Sequence, residues 1–291
     1  MTTTTLQGAV YTAPDYLAGF DQDTALTATS AAGYYADGYR FSVRYLSLGA
    51  ERPQDLTPAE AALILAAGLA VMPVQHVDAY GWTPTTGLGQ SHGASAAADA
   101  RGVGFPPGMC VWLDLEGVAA GTTGAAVVDY CQAWYAAVAA DGYVPGIYVG
   151  PNSGLTSSQL SDLSFAHYWS SASSHLPSPS RGFQMFQGLV EEHRFDPDYT
   201  VVDARGGRAL WFAAAAAVYP VLRAGNTAAS DAVRCLQRAL VAGGAALAVD
   251  GLFGPATTAA VEGVQRGAGL TVDGVVGPAT WPVIVAAATA R

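Results

Sequence analysis

Cys110-Val111-Trp112-Leu113-Asp114-Leu115-Glu116-Gly117 is the stretch on which the fold of the larger part of this chain turns. Polar and apolar residues alternate along it with period two. Trp112, Asp114 and Glu116 therefore share one face of a strand, and Val111, Leu113 and Leu115 share the other. The apolar face asks for a layer of helices behind it. The acidic face asks for an opening in front, and in a parallel barrel the C-terminal ends of the strands provide one. Two carboxyls shielded side by side push one pKa up, which is what a general acid near neutral pH needs. Taken alone, D-x-E is equally well a strand end with two solvated acids.

Strand-like and helix-like segments alternate outward from this stretch. Ala18 to Asp21 and Phe41 to Leu46 read as strands, with a helix between them. Thr57-Pro58-Ala59-Glu60 predicts a capping box with Pro at the first helical position, opening a helix that stops at Gly68. Strands follow at Leu69 to Gln75, Met109 to Glu116, and Tyr143 to Val149. An Ala-rich helix falls near Ser95 to Arg101 and an amphipathic one at Ala125 to Ala140. Weaker strands lie at His167 to Ser170, Phe183 to Gln187 and Tyr199 to Asp203. Eight strands over some 200 residues predict an α/β fold, a (β/α)8-type barrel with degenerate later helices. A doubly wound sheet is the alternative. Leu210 to Ala217 reads as a last helix or a connection, giving a barrel over 1–212, a joint at 213–218 and a second domain over 219–291. Asp21 ends the first strand and Asp203 the last, so with Asp114 and Glu116 three strand-end acid sites converge on one mouth. Gln75, Tyr148, Trp169 and Gln187, also at strand ends, are candidates to line a groove there.

Gly19-Phe20-Asp21 and Leu113-Asp114-Leu115-Glu116 make residues 17–208 resemble the glycoside-hydrolase-like barrels related to the family 25 lysozymes. Thr57 to Glu60 and Gly68 to Val74 resemble the less characterised branch of that group. The resemblance implies hydrolysis of peptidoglycan glycan strands without metal or cofactor. Glu116 would be the acid, Asp114 its partner, and Asp21 and Asp203 the first- and last-strand acids. Asp203 departs from the pattern, because Ala204-Arg205 stands where an asparagine usually follows two residues on.

Near the C-terminus the chain repeats itself: Val249-Asp250-Gly251-Leu252-Phe253-Gly254-Pro255-Ala256-Thr257 returns as Val272-Asp273-Gly274-Val275-Val276-Gly277-Pro278-Ala279-Thr280. Asp-Gly supplies a turn with positive φ, and Pro opens a helix. With Leu236-Gln237, Val261, Gln265, Gly269-Leu270 and Thr280-Trp281, the repeat resembles the peptidoglycan-binding domain of bacterial and phage wall enzymes. That resemblance implies a three-helix module whose characteristic residues are Asp250, Gly251, Phe253, Asp273, Gly274 and Trp281.

Charge and composition narrow the remaining options. The net charge is −10 and every positive residue is Arg. An acidic chain without basic clusters is a poor partner for nucleic acid. Cys110, Cys131 and Cys235 form no C-x-x-C pair, and the five His show no metal-binding spacing. Gly87-Leu88-Gly89 and Gly102-Val103-Gly104 read as loop glycines. The apolar runs fall short of the ~20 residues a membrane span needs, and no signal-peptide pattern opens the chain. The expectation is a monomer made in the cytoplasm that meets bacterial peptidoglycan after phage release or export by another route. The two resemblances together are those of an actinobacterial phage endolysin. The competing expectation is a barrel that binds glycan without cleaving it, as a phage-tail or surface component.

Overall fold

The computed structural model describes residues 6–50, 52–76, 78–188, 195–225 and 228–290. The strands are β1 (Ala9–Thr12), β2 (Ala18–Asp21), β3 (Phe41–Leu46), β4 (Ala70–Gln75), β5 (Cys110–Leu115), β6 (Val144–Val149), β7 (His167–Ser170), β8 (Met185–Gln187), β9 (Asp196–Thr200) and β10 (Leu210–Ala213). The helices are α1 (Ala28–Ala36), α2 (Pro58–Ala66), α3 (Thr86–Val103), α4 (Gly124–Ala140), α5 (Ser157–Asp162), α6 (Asp231–Ala242), α7 (Pro255–Gly267) and α8 (Thr280–Thr289).

Strands β2 to β9 close into an eight-stranded barrel, sealed where Val74 and Gln75 of β4 pair with Trp112 and Leu113 of β5. Seven of the eight run parallel. The exception is β9, which runs antiparallel to both neighbours and places Asp196 opposite Asp21 and Asp198 opposite Gly19 and Gln187. Phe41, Val43, Met72, Val74, Trp112, Trp169 and Met185 fill the interior. Val111, Leu113 and Leu115 pack outward with the helical layer, as their alternation requires.

Two glycines in α3 explain how close that layer sits. A Cβ on Gly89 would lie 2.2 Å from the Tyr130 carbonyl oxygen, and one on Gly93 would lie 2.6 Å from that of Trp134. Gly87 and Gly89 thus belong to a helix, not the expected loop, and the short predicted helix extends back to Thr86. Gly102 is also helical, and only Gly104, with φ +107°, leaves the helix as its C-cap. The Leu210 to Ala217 stretch is corrected too. Its first four residues form β10, paired antiparallel with β1, and Trp211 plugs the end of the barrel opposite the mouth against Phe41. Bulky Trp211 and Phe212 both find buried space there, which a solvent-facing helix would not have offered them.

Thr57 caps α2 by accepting from the Glu60 amide, but the reciprocal half of the expected box is absent. The Glu60 carboxylate instead accepts from the Leu26 amide and pairs with the buried Arg44 guanidinium at 2.7 Å.

Helices α6 to α8 form the C-terminal module. Their two Asp-Gly turns are built identically. Gln237 donates to Asp250 and the Leu252 carbonyl and accepts from the Gly251 amide. Gln265 donates to Asp273 and the Val275 carbonyl and accepts from the Gly274 amide. Gly251 and Gly274 hold φ of +82° and +68°. Phe253 and Trp281 are core residues, and the Trp281 indole donates to the Pro220 carbonyl. The characteristic residues of the module therefore build its frame.

The module sits on the barrel. Tyr39 donates to Asp231 at 2.6 Å, the Arg238 guanidinium lies 4.2 Å over the Tyr199 ring, and Ala232 faces Gly38. Helix α6 packs on the outer side of β2 and β9 beside α1, whose Tyr34 ring rests on Phe20 of β2.

Candidate active site

The C-terminal ends of the parallel strands open onto a cluster of carboxyls. Asp21 closes β2, Asp114 lies in β5, and Glu116 follows it. Because β9 is reversed, its first residues reach the same mouth, and Asp196 and Asp198 join the cluster. Asp203 does not. It lies beyond the far end of β9, where Arg181 and Gln184 donate to its carboxylate and the Arg205 and Gly207 amides do the same. Burial pushes its pKa up, but these donors outweigh burial and hold it below the ordinary carboxylate value. A parallel last strand would have put Asp203 at the mouth; the reversal exchanges it for Asp196 and Asp198.

Asp21 is the hub. Its carboxylate accepts from Tyr45 at 3.1 Å and from the Gln187 amide at 2.8 Å. The same Gln187 amide reaches Asp196 at 3.3 Å, and its carbonyl accepts from Tyr148 at 3.0 Å. The Trp169 indole donates to Asp198 at 2.9 Å, and the Asp198 carboxyl lies close enough to Asp21 for each to raise the other's cost of ionising. Two buried carboxyls side by side resist ionising together. Burial is the main cause that pushes Asp198 well up and Asp21 to about 7, and the negative charges of the cluster add to it. Glu116 is half-buried and its pKa is also raised, first by burial and then by the charge of Asp196. Gly150 makes room for it: a Cβ there would lie 2.3 Å from Glu116 Oε2.

Not every groove candidate faces the mouth. Gln75 points outward and is fully buried, donating to the His92 carbonyl and accepting from Trp134 at 2.8 Å. Its parity with Val74 decides this, since adjacent residues face opposite sides. Trp169 is 1% exposed and Tyr148 8%, so the first positions Asp198 and the second positions Gln187. Gln187 is the half-buried member that borders the opening. Tyr45, Asp196 and Asp198 were missed from the sequence. The alternation of Asp196 and Asp198 matches that of Asp114 and Glu116, but Pro197 between them argues against a strand. In the structure Pro197 nonetheless sits within β9, and its carbonyl accepts from the Gly188 amide at 2.6 Å.

Among the described residues no group of three or more His, Cys, Asp and Glu side chains is arranged to hold a metal ion. No helix among them is long and apolar enough to cross a membrane.

The model of the Rv2525c-like, glycoside hydrolase-like domain family matches residues 32–208. The chain belongs to that family. A second model, a putative peptidoglycan binding domain, matches residues 229–284. No curated protein matches the chain. Among solved structures, the barrel of this family member is similar to an uncharacterized protein of B. stearothermophilus, with 22% identity over 64% of this chain and 96% of that one and a TM-score of 0.49. It is similar to the Tat-secreted protein Rv2525c of Mycobacterium tuberculosis, with 14% identity over 64% and 94% and a TM-score of 0.49. A muramidase from Trichobolus zukalii gives 16% identity over 64% and 93% and a TM-score of 0.47.

The Asp21–Asp198 contact has a consequence for stability. A carboxyl whose pKa is raised from 3.8 to about 7 keeps a proton in the native state that the unfolded chain has already released. Stability from this pair is therefore present at low pH and is lost as pH rises from about 4 to about 7. Asp198→Asn keeps the shape of the side chain and the acceptor for Trp169 and removes the buried charge. The Tm difference between Asp198→Asn and wild type is expected to grow in favour of the variant between pH 4.5 and 7.5. A Tm difference that stays constant across that range would show that burial does not hold a proton on this pair.

Proposed function

We propose that this protein is a cell-wall glycosidase of the N-acetylmuramidase kind, held on peptidoglycan by its C-terminal module. The observation that carries the proposal is Glu116, half-buried with a raised pKa at the mouth of a barrel among Asp21, Asp114 and Asp196. It acts at the bacterial wall, reaching it by phage release or by another export route.

In this mechanism Glu116 gives its proton to the glycosidic oxygen as the bond from the anomeric carbon breaks. The N-acetyl carbonyl oxygen of the substrate attacks that carbon, and Asp114 orients the acetamide and offsets the positive charge. Water then opens the intermediate, passing its proton back to the Glu116 carboxylate. Such substrate-assisted hydrolysis is one of the known departures from the two-carboxylate scheme. Asp21, held by Tyr45 and Gln187, fixes the other wall of the site.

Digestion of purified peptidoglycan with mass spectrometry of the soluble products tests this. Muropeptides with new muramic acid reducing ends are expected. Protein that sediments with the wall and releases nothing would make this a glycan-binding barrel instead.

Gly150→Ala supplies a second test, since the added methyl has to displace the Glu116 carboxyl or the Tyr148 ring, 2.9 Å away. A misplacement of about 1 Å at a reacting group costs roughly 100-fold in rate. Turnover is expected to drop by about that factor while far-UV circular dichroism stays that of wild type. Unchanged turnover would mean that the position of Glu116 is immaterial.

A further inference from the structure

Tyr80 is 81% exposed, far more than any other large hydrophobic side chain among the described residues. Single exposed apolar residues are ordinary, but this one is held at both ends. Its ring and backbone rest on Gly117, the residue after Glu116: a Cβ there would lie 3.2 Å from Tyr80 Cδ2 and 3.4 Å from Tyr80 Cα. Gly117 takes φ +64°, so both its conformation and its missing side chain admit the tyrosine. At the other end of the ring, Asn152 donates its amide to the Tyr80 hydroxyl at 3.2 Å.

The loops that carry these residues are laced together. Gly81 donates to the Gly117 carbonyl and the Trp82 indole to the Glu116 carbonyl. Gly117 and Val118 donate in turn to the carbonyls of Pro151 and Asn152. Three successive strand-end loops thus hold one aromatic face open to solvent beside Glu116. Fixing a side chain before its ligand arrives removes the ordering cost of binding.

We propose that Tyr80 is the platform of a sugar subsite on the leaving-group side of the mouth, stacking on an uncharged N-acetylhexosamine ring. This rests on the glycosidase reading of the site. The C–H face of a pyranose carries partial positive charge and meets the negative face of an aromatic ring. Location beside the proton donor puts the stacked ring next to the oxygen that leaves. Asp78, close by in the same loop, together with the mouth carboxyls disfavours a sugar bearing its own carboxylate. The ring on Tyr80 is therefore of the N-acetylglucosamine type.

The test uses the full chain and chitotetraose, the uncharged tetramer of N-acetylglucosamine. Titration calorimetry on Glu116→Gln is compared with the same protein carrying Tyr80→Ala, Tyr80→Trp or Tyr80→Phe. Loss of one aromatic contact is worth about tenfold in affinity. Tyr80→Ala is expected to weaken Kd by about that factor, Tyr80→Trp to retain it, and Tyr80→Phe to fall between, because it loses only the Asn152 anchor. In the otherwise wild-type enzyme, Tyr80→Ala should raise KM on peptidoglycan and leave kcat within about twofold. A Kd that Tyr80→Ala leaves unchanged, or no binding to Glu116→Gln at all, would overturn the platform. If the wild type releases no reducing ends but chitotetraose binding still depends on Tyr80, the platform stands and the glycosidase reading falls.

Discussion

Glu116→Gln is expected to cut the release of reducing ends from peptidoglycan by about 10²- to 10⁴-fold, the usual contribution of a positioned proton donor. Glutamine keeps the shape and hydrogen-bonding capacity of the side chain and removes the transferable proton. Sedimentation with the wall should be unchanged, because the C-terminal module lies on the outer side of β2 and β9, away from Glu116. The pH profile gives an independent check. Burial and the Asp196 charge raise the Glu116 pKa, so its proton is kept to higher pH than an ordinary glutamate would keep it. The alkaline limb of kcat/KM is therefore expected above the ordinary glutamate range, and Asp196→Asn should move it down. Wild-type turnover in Glu116→Gln would remove this residue from the chemistry.

Gln265→Glu is expected to unfold the C-terminal module. The Gln265 amide donates to Asp273 at 2.8 Å, the Val275 carbonyl at 3.0 Å and Thr280 at 3.4 Å, while its carbonyl accepts from the Asp273 and Gly274 amides. Gln265 is 1% exposed, so water cannot replace these partners. A carboxylate keeps the accepting half and loses the donating half, facing the Asp273 carboxylate directly. Each buried acceptor left bare costs about 1–3 kcal/mol. A domain of this size has roughly 3–9 kcal/mol in all, at ~0.05–0.15 kcal/mol per residue. The expected result is a lost or strongly lowered melting transition and loss of wall sedimentation. Gln237→Glu should behave alike, because Gln237 holds the first turn in the same way. A module that melts normally with the Gln265→Glu substitution in place would show that the turns hold themselves.

The sequence carried the parts of this molecule whose signals are local. Alternation in Cys110 to Glu116 placed Asp114 and Glu116 inward, and Thr57-Pro58 marked the start of α2. The Asp-Gly repeats marked two turns whose glycines do hold positive φ. What escaped was set by partners distant in sequence. The last barrel strand was expected at Tyr199 to Asp203; Pro197 masked its true start, and β9 runs Asp196–Thr200, antiparallel to β2 and β8. That one reversal moved the last-strand acids from Asp203 to Asp196 and Asp198. Gly87 and Gly89 read as loop glycines, yet at Gly89 the close approach of α3 to α4 outweighs a helix-propensity cost of about 1 kcal/mol per glycine. Gln75 lay at a strand end with a groove-lining side chain, and one step of parity with Val74 turned it into the bonding partner of Trp134.

The seat of α6 against β2 and β9 bears on how the molecule would travel. A catalytic body on a flexible leash sweeps a volume set by leash length, and its effective concentration at any one strand falls as that volume grows. Here the leash has almost no slack: Tyr219 donates to the Asp15 carbonyl and stacks on Trp281, clasping the joint from both sides. Under the proposed function, a module bound to peptidoglycan would hold the mouth in one direction at one distance. Under that reading, bonds within the narrow reach would be cut quickly, every further cut would wait on release and re-landing, and the dwell time of the module would set the rate of glycan cleavage.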